Sequence, residues 1–109
     1  MQQILTKIAQ NAMEYLVTEE IARQLDLYSE TSKKNLNLYD SEIAIYALNR
    51  LPVLYAASTE ELIERIKKAK QEYLEVVRDA VRKGFITLEE KLLLNEATSE
   101  DRTTKVDNV

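Results

Sequence analysis

The feature that most constrains the fold is the recurrence of apolar residues at every third or fourth position over most of the chain. This spacing places apolar side chains along one face of an α-helix, from which they can pack against a core. The first such run covers residues 3–25, and the longest covers residues 58–83. No segment alternates apolar and polar residues as a half-buried strand would. The pattern therefore predicts an all-α fold.

Residues that end or begin helices divide the chain into about four of them. Pro52, the only proline, forbids an ordinary continuation of a short helix that the pattern places at residues 41–51. Asp40 is the expected N-cap of that helix. Gly84, the only glycine, suits the left-handed position that would close the long helix, and a short fourth helix follows over residues 87–94.

Polar stretches and one capping pattern complete the division. Residues 26–40 are rich in Ser, Thr, Asn and Lys and predict a loop, whereas the patternless residues 97–109 predict a disordered tail. Ser58-Thr-Glu-Glu61 is a capping box that opens the long helix. A hydrophobic content of 45% in 109 residues is enough for one core. We therefore expect a single small helical domain over residues 1–96.

The absence of several residue types narrows the possible chemistry. Without cysteine or histidine, the chain lacks thiolate nucleophiles, the usual zinc sites and the commonest general acid–base side chain. A single glycine cannot build a phosphate-binding glycine-rich loop. The sequence therefore predicts neither an enzyme nor a metal or cofactor site. A hydrolase in particular is disfavoured, because neighbouring carboxylates such as Glu19 and Glu20 point apart on a helix.

Charge and hydropathy also bear on partners and location. The net charge of −4 disfavours direct binding of nucleic acid, so an anionic ligand would need a local basic pocket. No apolar run approaches the roughly 20 residues that cross a bilayer. The first residues lack the features of a signal peptide. We expect a cytoplasmic protein with no membrane partner.

The short helix predicted at residues 41–51 carries an unusually wide apolar face. On a helical wheel its apolar residues occupy an arc of about 200°, twice the width that packing on one surface needs. Such a width indicates burial on two sides, deep in the domain or at a subunit contact. We favour a subunit contact, and hence a homodimer. The apolar residues are Ile43, Ala44, Ile45, Ala47, Leu48 and Leu51.

The opposite face of that helix and the segment after it hold a polar and aromatic cluster of Tyr46, Asn49, Arg50 and Tyr55. A purely structural interpretation fits, because Asn49 can cap the helix and Arg50 can bond its terminal carbonyls. A nucleotide site also fits. Arginine pairs bidentately with phosphate or with the Hoogsteen edge of guanine, and tyrosine rings stack on bases. Spacing alone leaves both interpretations open.

Three basic residues elsewhere are further candidates for binding an anionic ligand. Arg65 belongs to the densest basic run, although Glu61 lies at the favourable i,i+4 spacing and a solvated face is the plainer interpretation. Lys33 and Lys34 lie in the predicted loop. In a dimer, these residues could border a pocket for two phosphates.

Three segments resemble the ComFB family of late competence development proteins. They are Asn11-Ala-Met-Glu-Tyr-Leu-Val17, Tyr46-Ala-Leu-Asn-Arg-Leu-Pro52 and Leu54-Tyr55-Ala56, and the match in order and spacing covers about residues 8–84. The resemblance implies a small helical homodimer without enzymatic activity. It also implies binding of a cyclic dinucleotide, c-di-GMP or in some members c-di-AMP. One branch of the family carries a cysteine cluster before the second segment, and this chain resembles the cysteine-free type.

The leading hypothesis is therefore a cyclic dinucleotide receptor that passes the signal to a regulatory protein such as a transcription factor. Arg50 would contact guanine or phosphate, Tyr46 and Tyr55 would stack on bases, and Asn49 would read a base edge or fix the turn. The alternative is a dimeric interaction module that works without a ligand in competence, pilus or transcription control.

Overall fold

The structure is a computed structural model that describes the backbone of residues 9–107 and the side chains of residues 9–95. Within that range the chain is mostly helical, with a short antiparallel pair of strands. The elements in order are β1 (Gln10–Asn11), α1 (Ala12–Leu25), α2 (Glu30–Asn37), α3 (Asp40–Leu48), β2 (Tyr55–Ala56), α4 (Thr59–Glu72) and α5 (Leu74–Asp107). The helical class predicted from the apolar spacing is confirmed, with five helices in residues 9–107 in place of about four.

The core lies where α1, α3 and α5 meet, and α4 packs against α1 on the side that faces β2. Its members are the apolar residues that recur at helical spacing, as the sequence predicts. Phe85 on α5 is 1% exposed and contacts the ring of Tyr28, with the ring centroids 5.5 Å apart. The other large side chains with less than 2% exposure are Met13, Val17, Ile43, Val77 and Val81. None of the described helices is both long enough and apolar enough to cross a membrane.

The prediction that no segment forms a strand is wrong for four residues. Gln10 pairs with Ala56, and Asn11 pairs with Tyr55, in a two-residue antiparallel ladder. The first helix therefore starts at Ala12, and the part of its predicted course before residue 9 lies outside the described residues. Two-residue strands are too short to show alternation, which is why the pattern did not reveal them.

The predicted loop over residues 26–40 contains a helix, α2. Ser29 caps it, since its Oγ accepts a hydrogen bond from the backbone N–H of Ser32. Only Leu36 on this helix is buried, so its apolar spacing is too sparse to predict a helix. The next helix begins at Asp40 itself, and its N-cap position falls on Tyr39, which makes no side-chain capping bond.

The long helix predicted over residues 58–83 is divided at Tyr73. Its start is confirmed, because Ser58 Oγ accepts a hydrogen bond from the backbone N–H of Glu61 at 3.1 Å. Tyr73 has φ −119° and ψ 9° and separates α4 from α5, while its half-buried ring packs on the core. Tertiary packing thus overrides the continuous helical pattern at this point.

Gly84 does not end a helix, and the predicted short helix after it is instead the interior of α5. No described residue has a positive φ. A Cβ on Gly84 would lie 3.2 Å from Ile43 Cγ2 and 3.3 Å from both the Ile43 carbonyl oxygen and Tyr46 Cδ1. The glycine therefore serves the close approach of α3 to α5 rather than a left-handed cap.

The structure continues the backbone of α5 through residue 96 to Asp107. A helical extension thus occupies residues 97–107, where the sequence predicts a disordered tail, and residues 108–109 lie outside the described part of the chain. The domain boundary at residue 96 and the disorder of the tail stay predictions.

Candidate functional site

The C-terminal end of α3 holds an arginine stacked on a tyrosine. The guanidinium carbon of Arg50 lies 3.5 Å from the centroid of the Tyr46 ring. Arg50 Nη1 also donates a hydrogen bond of 2.9 Å to the Tyr46 carbonyl oxygen. The last carbonyls of a helix lack intrahelical partners, so they are natural acceptors for such a side chain. Ring and carbonyl together fix the guanidinium plane at the protein surface.

Arg50 differs from the other arginines in its charge partners. Among residues 9–95, Arg23, Arg65, Arg78 and Arg82 each pair with a carboxylate, whereas Arg50 pairs with none. Its remaining N–H groups have no protein acceptor within that part of the chain. A preformed, exposed guanidinium without a carboxylate is suited to an anionic or base-edge acceptor from outside the chain.

The crossing of α3 over α5 sets the position of the Tyr46 ring. Tyr46 is half-buried, and the edge of its ring lies against Gly84, where no side chain intervenes. Lys91 on α5 and Glu42 on α3 form an ion pair of 3.4 Å one helical turn away. One edge of the ring therefore packs against α5 at Gly84, and Arg50 covers one of its faces.

Asn49 and Tyr55 lie on either side of the turn at Pro52. Asn49 is exposed and is the C-cap residue of α3, with its backbone N–H bonded to the Ile45 carbonyl. The contacts that the structural interpretation gives Asn49 and Arg50 at the helix end are thus present. Tyr55 is 62% exposed on β2. The structure brings Tyr46, Asn49 and Arg50 together, while in the described residues no hydrogen bond or ring contact joins Tyr55 to them.

Asn11 fixes the segment that leads to Tyr55, and the sequence reasoning missed it. Its side-chain oxygen accepts hydrogen bonds from the backbone N–H of Met13 at 3.1 Å and of Leu54 at 3.0 Å. The first bond caps α1, and the second ties α1 to the chain that follows Pro52. An asparagine directly before an apolar helical run is an N-cap signal that could have revealed half of this role.

Arg65 lies beside the same segment. Its Nε and Nη2 both bond Glu61 Oε1, at 3.0 and 2.6 Å. The hydrogen bond from Arg65 holds the pKa of Glu61 below its ordinary value. Arg65 and Lys68 line a pocket of about 130 Å³ together with Leu54 and Tyr73. A basic group therefore lies next to the residue that precedes Tyr55.

Lys33 and Lys34 lie on α2 rather than in a loop. Lys33 Nζ bonds Asp26 Oδ1 at 2.6 Å, and this bond raises the pKa of Lys33 above its ordinary value. Lys34 is exposed. Among the described hydrogen bonds and ion pairs, none connects either lysine to Tyr46 or Arg50.

A buried carboxylate on α1 is a second residue that the sequence reasoning missed. Glu20 is 5% exposed and accepts hydrogen bonds from Arg23 at 2.6 Å and from Gln24 at 2.7 Å, while Arg78 Nε lies 3.6 Å away. Burial alone would raise the pKa of Glu20, but these donors and charges outweigh it and the pKa is lowered. Its position three to four residues from Leu16 and Val17 places Glu20 on the apolar face, a signal that the sequence offered.

The lowered pKa of Glu20 predicts a loss of stability in acid. A carboxylate whose pKa is depressed by folding stabilises the fold above its unfolded pKa, and that contribution is lost as the pH falls through the folded value. We expect unfolding midpoints in urea to fall below about pH 4.5, the ordinary value for glutamate. A Glu20→Gln variant should show a smaller fall between pH 5 and about pH 3. An equal fall in both proteins would contradict the assignment.

Comparison with known proteins agrees with the sequence motifs. A family model described as late competence development protein ComFB matches residues 10–92, from β1 into the middle of α5. No curated protein matches the chain. The matched range contains Asn11, Tyr46, Arg50 and Tyr55, and it covers more than half of the 109 residues. The chain belongs to the ComFB family.

Proposed function

We propose that the protein is a cytoplasmic receptor, not an enzyme, that binds a cyclic dinucleotide and relays its level to a regulatory protein in competence-related control. The observation that carries the proposal is the surface guanidinium of Arg50, stacked on Tyr46 and free of any carboxylate partner in residues 9–95. Such a group is ordered before the ligand arrives, so little side-chain freedom is lost on binding.

The chemistry of Arg50 favours c-di-GMP over c-di-AMP as the ligand. A planar guanidinium donates two parallel hydrogen bonds to O6 and N7 of guanine, whereas adenine presents a donor at the first of these positions. The same fork can bind a phosphate. The exposed ring of Tyr55 offers a stacking face, and the amide of Asn49 can reach a base edge. Arg65, beside Leu54, would add a second positive charge for the sugar–phosphate ring.

A homodimer is the assembly that we propose for the receptor. Ile45 on α3 is 59% exposed although its neighbours Ile43 and Ala47 are buried, so one side of the wide apolar face has no cover within the described chain. A two-fold symmetric ligand suits a two-fold dimer, because identical groups can meet its two halves. Light scattering should give twice the chain mass, and Ile45→Glu should lower it toward that of a monomer.

Removal of the Arg50 side chain should weaken binding without unfolding the protein. We expect Arg50→Ala to raise the Kd for c-di-GMP at least about tenfold, because a stacked, bidentate contact is lost at an exposed position. Calorimetric titration measures this, with Lys67→Ala as a control that removes an exposed charge from α4. Unchanged affinity in Arg50→Ala would exclude this site. If the wild type binds neither c-di-GMP nor c-di-AMP, the interaction module without a ligand becomes the better hypothesis.

A further inference from the structure

A second group of arginines lies apart from Tyr46 and Arg50, between the end of α1 and the first turns of α5. An opening of about 390 Å³ is lined there by Arg23, Arg78, Arg82, Tyr28, Glu75 and Asp79, together with two neighbouring residues. We call it the arginine pocket. Its volume falls within the range of small-ligand sites. Nothing in the proposed function uses it.

The buried carboxylate of Glu20 holds two of the three guanidinium groups in place. It accepts hydrogen bonds from Nε and Nη2 of Arg23 and lies 3.6 Å from Nε of Arg78. That Nε atom is buried and has no hydrogen-bond partner among the described residues. The backbone carbonyl of Arg78 is held as well, because it accepts a hydrogen bond of 3.1 Å from Gln24 Nε2. The side chains of Arg23 and Arg78 are therefore held in place before any ligand binds.

The two carboxylates on the outer side of the pocket, Glu75 and Asp79, belong to ion pairs that are exposed to solvent. Glu75 is 86% exposed and lies 3.5 Å from Arg78 Nη1. Asp79 bonds both Arg82 and Lys83. Solvent-exposed ion pairs such as these contribute little, so an incoming anion can replace them at small cost. The lining holds three arginines and two carboxylates, and a third carboxylate, Glu20, lies beneath them, so an incoming anion takes the place of the exposed partners Glu75 and Asp79.

From this geometry we infer that the arginine pocket is an anion site for a small ligand that carries phosphate or carboxylate groups. Guanidinium forks recognise both kinds of oxyanion bidentately. Arg82, at 62% exposed, reaches the ligand first, and the better-held Arg23 and Arg78 form the floor. The site is built by the end of α1, by Leu27 and Tyr28 in the loop that follows it, and by α5, so it does not depend on the turn at Pro52.

Titration of the full-length, ¹⁵N-labelled protein followed by NMR tests the inference. Pyrophosphate supplies phosphate groups and tricarballylate supplies carboxylates, in separate titrations at low salt. We expect saturable shifts of the Nε–H signals of Arg78 and Arg82 with a Kd below about 1 mM for at least one anion. The anion that binds identifies the ligand chemistry. Arg50→Ala should leave these shifts unchanged, which separates this site from the proposed receptor site.

Two variants on α5 make the test specific. Arg82→Gln should raise the Kd at least about tenfold, because it removes one guanidinium fork. Lys91→Gln removes the same charge from the same helix at 60% exposure, and it should have little effect. Both positions are exposed, so neither change should unfold the protein. The absence of saturable shifts with both anions, or an equal loss of affinity in the two variants, would overturn the inference.

Discussion

A Gly84→Leu variant is expected to lose about 2–3 kcal/mol of unfolding free energy, the upper part of the range of about 1–3 kcal/mol that it costs to force a large side chain into filled space. A Cβ at this position would already lie 3.2 Å from Ile43 Cγ2 and 3.3 Å from the backbone oxygen of Ile43. The remaining atoms of leucine would have to displace α3 or the Tyr46 ring. Urea unfolding followed by circular dichroism measures the loss.

Under the proposed function, the same variant should also weaken the binding of the cyclic dinucleotide, because Tyr46 supports Arg50. Gly84→Ala is the matched control. Alanine adds one methyl group at tight contact but gains about 1 kcal/mol of helix propensity, so its net effect should be small. If leucine is tolerated as well as alanine, then α3 and α5 do not cross as closely as described, and Gly84 has another role.

Asn11→Ala is expected to cost about 2 kcal/mol, because it removes a helix cap and leaves the Leu54 N–H without its acceptor. Both bonds go to the same side-chain oxygen, at 3.1 Å from Met13 N and 3.0 Å from Leu54 N. We also expect weaker ligand binding, since the segment between Pro52 and Tyr55 loses an attachment. Urea unfolding and calorimetric titration measure the two effects.

Asn11→Asp separates the hydrogen bonds from other properties of the side chain. A carboxylate keeps an acceptor oxygen at the same place, and a negative charge is favourable at a helix N-terminus. Stability and binding should therefore stay close to those of the wild type. A loss in Asn11→Asp as large as that in Asn11→Ala would show that the two hydrogen bonds are not the cause.

Helices with a continuous apolar face were predictable from the sequence, whereas their boundaries depended on contacts with distant residues. Spacing identified α1 and α4, and Ser58 marked the start of α4 through a purely local signal. The prediction for Gly84 was wrong, because a glycine that follows a long helical run looks like a helix end until the approach of Ile43 and Tyr46 is known. The sequence does not indicate the break between α4 and α5 at Tyr73, because the conformation of that residue follows from its packing on the core.

The candidate site was also predictable only where its contacts join residues that are close in the sequence. Tyr46 and Arg50 stand four residues apart on one helix, so a local rule places them together. The link from Asn11 to Leu54 spans 43 residues, and no local rule predicts it. Glu20 was visible only as a charge on an apolar face. Its partner Arg78 lies on another helix, which periodicity within α1 cannot reveal.

The pairing of β1 with β2 has a consequence for how sequences of this family can vary. It joins Asn11 to Tyr55 and so closes a loop that contains α1, α2 and α3. The entropy of closing a loop grows only with the logarithm of its length, about 0.6 kcal/mol for each doubling. Residues added near α2 would therefore lower the free energy of unfolding only a little, as long as β1 stays paired with β2 and Asn11 keeps its hydrogen bond to Leu54. The stretch between α1 and α3 is the place where a relative could gain an inserted element without losing the turn that presents Arg50.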